Sequence, residues 1–171
     1  MRYIFENVNS NYDEQKRINI LKYSRWMNSI LRRSKEIGKV ELPICSIILD
    51  ERGRCIGRGV NRRNINKDPL GHAEIMALRQ ASIIKNDWRF NECTIITNLE
   101  PCTMCSSVLI QARMGKVIFG AYDKKRGGLG GSIDLSKHES AHHKMEIVGG
   151  ILEDECIHIL QLWFKQLRTQ K

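Results

Sequence analysis

The chain has 171 residues, a length that suits a single domain. Its 42% hydrophobic and 27% charged residues are ordinary for a globular protein, and no apolar run is long enough to cross a membrane. The net charge of +9 favours an anionic partner, with nucleic acid first.

The N-terminal third of the chain predicts a polar extension, one helix and a hairpin. Residues 1–14 are rich in Asn and show no apolar period, so we expect a flexible N-terminal extension rather than a secretory signal, and a cytoplasmic protein. A helical pattern begins at Ile18 and stops near Gly38. Two strands, 43–49 and 54–60, flank a turn and predict a hairpin.

The rest of the chain alternates helices with strands. Residues 61–71 predict an irregular polar loop, and the glycines of 127–131 predict a loop that is mobile or packs closely against a neighbour. The other predicted elements are helices at 72–84, 102–114 and 152–167 and strands at 93–97, 116–121 and 145–148. This alternation predicts one α/β domain over residues 15–171, with a sheet covered on both faces.

Two short motifs separated by thirty residues carry the chemistry. They are His72-Ala73-Glu74 and Pro101-Cys102-Thr103-Met104-Cys105. One imidazole and two thiolates, from His72, Cys102 and Cys105, are three ligands for zinc, and a tetrahedral ion with three protein ligands keeps its fourth position for water. The alternative is a structural zinc site, which normally has four protein ligands, and no fourth Cys or His stands near either motif.

Glu74 lies two residues from the ligand His72 and is the candidate catalytic residue. Its carboxylate suits a proton carrier better than a fourth ligand. The pattern H-x-E followed by P-C-x-x-C is the signature of zinc deaminases that attack amino-bearing carbons of nucleobases. Several stretches closely resemble the bacterial tRNA adenosine deaminases of the TadA type: His72–Gln80, Leu99–Cys102, Met104-Cys105, Gly120-Ala121 with Asp123, and Gly150–Leu152 with Asp154–Cys156.

This resemblance spans about Trp26 to Arg168 and implies both fold and activity. The fold would be a three-layer α-β-α cytidine deaminase-like fold with a mixed central sheet of about five strands. The activity would be hydrolytic conversion of the wobble adenosine (position 34) of a tRNA anticodon to inosine, with release of ammonia and one Zn²⁺ per subunit. Family members bind the tRNA anticodon stem-loop and form homodimers, so both partners are expected here.

The resemblance also implies a set of substrate-binding residues: Asn61, Ala73, Asp123, Phe164 and Arg168. Asn61 would hydrogen-bond the flipped base, although by composition alone it is equally a turn residue. Asp123 would belong to the loop around the nucleotide, or would form a turn ahead of Lys124-Lys125. Phe164 and Arg168 would approach the RNA from the last helix, where Phe164 is alternatively a core or dimer residue.

The chain departs from the family at Cys45-Ser46, where relatives often have Gly-Ala, and in Ser132–His138, which is one residue shorter than in common relatives. Two other functions remain open at the level of sequence. The first is a deaminase of a free guanine, cytosine or small nucleoside, which would need neither the charge of +9 nor basic loops beside the pocket. The second is a non-catalytic zinc RNA-binding subunit, which in eukaryotic relatives lacks the glutamate that is present here as Glu74.

Overall fold

The computed structural model describes the backbone of residues 2–169 and the side chains of residues 14, 15 and 17–169. The helices and strands, in chain order, are α1 (Arg2–Ile37), β1 (Cys45–Leu49), β2 (Cys55–Val60), α2 (Arg63–Asn66), α3 (Ala73–Lys85), β3 (Thr94–Leu99), α4 (Thr103–Gln111), β4 (Lys116–Ala121), β5 (Glu146–Val148) and α5 (Glu153–Thr169), with a 3-10 turn at Leu135–Lys137.

The strands form one mixed sheet in the order β2-β1-β3-β4-β5. β1 is antiparallel to both of its neighbours, and Ile47 at its centre pairs with Arg58 on β2 and Ile96 on β3. β3, β4 and β5 are parallel: α4 connects β3 to β4, and the long segment 122–145 connects β4 to β5. The predicted mixed sheet of about five strands is confirmed.

Helices cover both faces of this sheet. On one face, α1 and α5 bury Met27 and Ile159 in the same core cluster. On the other face, α3 and α4 bury Leu78 and Leu109 in a second cluster. The three-layer α-β-α architecture is therefore confirmed, and α3 and α4, which carry both motifs, share one layer.

Two glycines of β2 bring α3 very close to the sheet. A Cβ at Gly57 would overlap Ala77 and Ala81, and a Cβ at Gly59 would overlap the backbone of Ala73. Ala73, Ala77 and Ala81 are fully buried small residues, so the helix backbone itself rests on the strand. This contact fixes the N-terminus of α3, where His72 and Glu74 lie.

Some predicted boundaries were wrong. α1 begins at Arg2 rather than Ile18, because the residues before Ile18 lack an apolar period but include several good helix formers. α4 ends at Gln111 rather than Met114, since Arg113 adopts a left-handed φ of 52°. The loop predicted at 61–71 contains the single turn α2.

The predicted flexible extension, residues 1–14, overlaps the first turns of α1. Residue 1 and the side chains of residues 2–13 lie outside the described part of the chain, so the division at residue 14 stays a prediction. Within residues 2–169, no helix combines the length and the apolar character needed to cross a bilayer.

Candidate active site

The zinc motifs lie where two helices of the same layer begin. His72 and Cys102 are the N-cap residues of α3 and α4, and both have extended backbone angles. Each carbonyl accepts the first hydrogen bond of its helix, from Met76 N–H to His72 at 3.0 Å and from Ser106 N–H to Cys102 at 2.8 Å. Cys105 lies in the first turn of α4 and is fully buried. Two helix starts thus direct three ligand side chains to one point.

The distances between these side chains fit a single zinc ion. Nδ1 of His72 lies 3.7 Å from Sγ of Cys102 and 3.5 Å from Sγ of Cys105, and all three ligand atoms lie within 4.8 Å of one another. Tetrahedral zinc with Zn–S of about 2.3 Å and Zn–N of about 2.0–2.1 Å separates sulfur from nitrogen by about 3.6 Å. The group comprises three ligands, the number typical of catalytic rather than structural zinc sites.

The electrostatics of the cluster also suit a divalent cation. A hydrogen bond from Cys105 lowers the pKa of Cys102 to about 4. The same contact, together with burial, raises the pKa of the Cys105 thiol. Without a metal, the protein therefore favours ionisation of Cys102 and disfavours ionisation of Cys105. A bound Zn²⁺ removes that opposition because it stabilises both thiolates at once.

Glu74 follows the ligand His72 by two residues and is 4% exposed. It lies in the first turn of α3, where the positive end of the helix favours a carboxylate. Burial nevertheless raises the pKa of Glu74 to about 7, with the negative Cys102 acting in the same direction. A buried carboxyl group beside three potential zinc ligands is placed to exchange protons with a molecule bound there.

The glycine-rich segment 123–131 packs directly against the start of α4. Cys102 forms an antiparallel bridge with Gly127, and the Gly128 N–H donates to the carbonyl of Pro101 at 2.9 Å. The Thr103 N–H donates to the carbonyl of Arg126 at 3.2 Å. Of the two alternatives for this loop, close packing against a neighbour is what the structure shows.

A buried carboxylate, Glu100, holds that segment. Its side chain accepts backbone N–H bonds from Asp123, Leu129 and Gly131, each at 2.9 Å. A Cβ on Gly127 or Gly131 would overlap this carboxylate, which explains why glycines are needed there. Because Glu100 is two residues from Cys102, the same short segment fixes a metal ligand and the neighbouring loop.

Segment 61–66 contacts the residues just before the motif His72-Ala73-Glu74. The Arg62 N–H donates to the carbonyl of Gly71 at 2.8 Å, immediately before His72. Asn61 is 4% exposed, and its backbone N–H donates to the carbonyl of Ile44 at 3.0 Å. The Asn61 side chain is thus held inside the molecule rather than in an exposed turn.

Comparison with known proteins identifies the family. The model of the cytidine and deoxycytidylate deaminase zinc-binding region matches residues 21–121. A tRNA-specific adenosine deaminase of Streptococcus pyogenes serotype M1 is 35% identical over 137 residues, which are 80% of this chain and 80% of that protein. The chain belongs to the tRNA-specific adenosine deaminases, within the zinc-dependent deaminase family. The tRNA-specific adenosine deaminase of Haemophilus influenzae is 30% identical over 96% of this chain and 90% of its own.

Solved structures agree on the architecture of this deaminase. A structure from a study of A-to-I editing by tRNA:A34 deaminases at the wobble position has a TM-score of 0.76 and 30% identity, and covers 80% of this chain and 99% of its own. A guanine deaminase from Nitrosomonas europaea has a TM-score of 0.66 at 21% identity, and covers 80% of this chain and 81% of its own. At that identity the second match shows a shared fold only. The predicted family, enzyme class and zinc requirement are confirmed.

The other residues predicted to bind substrate lie in three places: Ala73 on α3, Asp123 after β4, and Phe164 and Arg168 on α5. Ala73 is fully buried between His72 and Glu74, so its contact with a substrate stays a prediction. Asp123 is half-buried, and its carboxylate accepts N–H bonds from the next residues of its own turn, Lys125 at 2.9 Å and Arg126 at 3.0 Å. Asp123 thus forms a turn with its own side chain, and its contact with a nucleotide stays a prediction.

Phe164 and Arg168 lie on α5, in the layer opposite α3 and α4. Phe164 is 49% exposed and packs edge-to-face on Trp163 with ring centroids 5.0 Å apart. Neither residue has a described contact with the zinc cluster, so their approach to a substrate stays a prediction.

Sequence reasoning missed two residues that build the site, Glu41 and Glu100. Both are almost fully buried charged residues, at 1% and 2% exposure; Glu41 follows α1 and Glu100 follows β3. Each stands one or two residues before a proline, in Glu41-Leu42-Pro43 and Glu100-Pro101. An acidic residue in an otherwise apolar stretch was the available signal, because a buried charge needs several hydrogen-bond partners.

Proposed function

We propose that this chain converts the wobble adenosine (position 34) of a tRNA anticodon to inosine by zinc-dependent hydrolysis, with release of ammonia. The observation that carries the proposal is the three-ligand cluster of His72, Cys102 and Cys105 with Glu74 buried beside it. Its relatives are tRNA-specific adenosine deaminases, which supports adenosine in tRNA as the substrate.

Glu74 is proposed to carry the protons of the reaction. Zinc, when bound to the three ligands, supplies an activated water near neutral pH. The Glu74 carboxylate accepts a proton from the attacking water and delivers it to ring nitrogen N1, next to the amino-bearing carbon. It then assists protonation of the departing amino group. Adenosine and water are thereby converted to inosine and ammonia.

The base would lie between the two segments that border the cluster. We propose that Asn61 and the backbone of Ala73 bind the flipped adenine, and that Asp123 belongs to the loop around the nucleotide. Burial of Asn61 at 4% exposure supports a pocket role, since a turn residue is normally exposed. Phe164 and Arg168 are proposed contacts for RNA at the outer surface of α5.

Basic side chains around the site support an RNA partner. Lys124, Lys125 and Arg126 are exposed next to Asp123. A separate cleft of about 880 Å³, which none of the zinc ligands lines, borders α1, β2 and α3 and carries five exposed arginines: Arg32, Arg33, Arg58, Arg62 and Arg79. Such surfaces bind phosphates and make affinity fall steeply with salt. We further propose, from the family alone, that the protein is a homodimer and acts in the cytoplasm.

The test is inosine formation in an anticodon stem-loop with a wobble adenosine, with free adenosine, cytidine and guanine assayed in parallel. We expect conversion of the stem-loop alone, with activity that falls as salt rises. The variant Glu74→Gln should keep zinc and bind the stem-loop, yet lose turnover by at least about 100-fold because the proton carrier is gone. Glu92→Gln, at an exposed carboxylate, is the matched control.

Two results would contradict this proposal. Turnover of a small substrate with the stem-loop unchanged would favour a deaminase of free bases or nucleosides. Full turnover by Glu74→Gln would remove Glu74 from the mechanism.

A further inference from the structure

Glu41 is a buried charged residue whose carboxylate reaches the pocket segment. It lies just after α1 and is 1% exposed. Oε1 accepts N–H bonds from the Asn61 side chain at 3.1 Å and the Asn64 side chain at 3.0 Å, and from Leu42 N–H at 3.1 Å. Oε2 accepts the backbone N–H groups of Asn64 at 2.7 Å and Ile65 at 3.3 Å. The two oxygens therefore receive five donors.

These contacts fix the amide of Asn61. An ionised carboxylate only accepts hydrogen bonds, so the Nδ2 group of Asn61 must face Glu41. The Asn61 backbone is held separately by its N–H bond to the Ile44 carbonyl at 3.0 Å. With both ends fixed, Oδ1 and the second Nδ2 hydrogen point away from Glu41. A reversed amide would turn an acceptor toward the carboxylate and is disfavoured.

The orientation of an asparagine amide determines which hydrogen-bond donors and acceptors of a base it can pair with. Its carbonyl oxygen and N–H form a planar acceptor-donor pair that matches the edge of an adenine, with its N6 donor and N7 acceptor. Reversal of the amide exchanges donor for acceptor and removes the match. The residue that sets the orientation therefore sets the hydrogen-bond pattern offered to the base.

We propose that Glu41 is a positioning residue that fixes the amide orientation of Asn61 and, through it, the recognition of the substrate base. This proposal rests on the proposed function, because it takes Asn61 to contact the base. The competing explanation is that Glu41 only anchors segment 61–66 through Asn64 and Ile65. The two explanations differ in whether the effect of Glu41 passes through Asn61.

The substitution Glu41→Gln separates the two explanations for the role of Glu41. The new amide nitrogen is a donor, so it must face either the Asn61 side chain or the backbone N–H groups of Asn64 and Ile65. In the first case Asn61 reverses to accept from it. In the second case the segment loses the bonds from the backbone N–H groups of Asn64 and Ile65, while the Asn61 amide keeps its acceptor and its orientation. Glu41→Asp keeps the charge and serves as the conservative variant.

The experiment is a double-mutant cycle on kcat/KM with the wobble-adenosine stem-loop, using Glu41→Gln, Asn61→Ala and the double variant. Zinc content and thermal midpoint are measured for every protein. We expect each single change to lower kcat/KM by about 10- to 100-fold. The double variant should be no slower than Asn61→Ala, and Glu41→Asp should recover part of the loss.

Two control variants isolate the path through Asn61. Asn64→Ala removes a donor to the same carboxylate without touching Asn61, and should leave kcat/KM within about threefold of wild type. Asp50→Asn alters another buried carboxylate, which accepts N–H bonds from Arg52 at 3.0 Å and Arg54 at 2.8 Å at the far end of β1. It should lower the thermal midpoint and leave kcat/KM unchanged.

Multiplicative losses in the double variant, or wild-type kcat/KM in Glu41→Gln, would overturn the proposal. If Glu41→Gln does not fold, the cycle is run with Glu41→Asp, and multiplicative losses in that double variant would overturn the proposal. Failure of the proposed function is seen separately, as absence of stem-loop turnover by the wild-type protein. In that case the cycle is run on the nucleoside or base that the wild type does deaminate.

Discussion

Two segments border the zinc cluster, 61–66 and 123–131, and each is held by one buried glutamate from another part of the chain. Glu41 binds the first segment through two asparagine side chains as well as backbone N–H groups. Glu100 binds the second segment through backbone N–H groups alone. The first anchor therefore orients a side chain, that of Asn61, whereas the second fixes only the path of the backbone.

The difference also appears in the residues that surround each carboxylate. Glu100 needs glycines at 127 and 131, where any Cβ would overlap it. Asp123, although its N–H binds Glu100, directs its own carboxylate to the backbone of Lys125 and Arg126. Backbone anchoring thus tolerates many side chains on the loop but few changes at the points of closest approach.

The largest expected effect comes from adding a methyl group where Gly127 contacts the Glu100 carboxylate. Gly127→Ala should lower the free energy of unfolding by about 3 kcal/mol, because the new methyl group displaces the Glu100 carboxylate and leaves its N–H donors unpaired. Urea unfolding measures the change. In a Glu100→Ala background the same substitution should cost less than about 1 kcal/mol. Equal costs in both backgrounds would show that Gly127 acts independently of Glu100.

A second test concerns the charge of Glu41. Hydrogen bonds from Leu42, Asn64, Ile65 and Asn61 outweigh burial and hold the pKa of Glu41 below its usual value of 4.5. A depressed folded-state pKa stabilises the protein above the usual carboxyl range, and this stabilisation is lost as pH falls through the folded value. Glu41→Gln should therefore destabilise by about 2 kcal/mol at pH 7 and by progressively less below pH 4.5.

Urea titrations of the wild type and Glu41→Gln at pH 7, 5, 4 and 3 measure the difference in their free energies of unfolding. None of the groups that donate to Glu41 titrates, so the trend reports the carboxylate itself. A difference that stays constant with pH would mean that the charge of Glu41 adds nothing to its hydrogen bonds.

The smallest expected effect concerns Ser46, a buried polar residue whose hydroxyl, unlike the carboxylates of Glu41 and Glu100, has no hydrogen-bond partner among the described residues. Ser46 is 1% exposed, and its hydroxyl makes no hydrogen bond within the described residues. Ser46→Ala should raise the free energy of unfolding by about 1 kcal/mol, because an unpaired buried hydroxyl is removed at little cost in packing. The isosteric Ser46→Cys is the control for cavity effects. Loss of stability in Ser46→Ala would reveal a hydrogen bond to this hydroxyl.

Most of the fold followed from local patterns. Alternation of helices and strands predicted the layered sheet, and helix starts near His72 and Cys102 were correct to one residue. The early start of α1 was missed because its first turns have no apolar face. The end of α4 was missed because a left-handed residue, Arg113, stops it without a glycine signal.

The sequence by itself determined the chemistry of the site, since His72, Glu74, Cys102 and Cys105 lie in two short motifs whose spacing is local. Only the tertiary structure decided how the surrounding segments are held. Glu41 lies 20 residues from Asn61, and Glu100 lies 31 residues from Gly131. Contacts of this kind depend on which strands become neighbours in the sheet, and buried carboxylates find their donors only after that arrangement has formed.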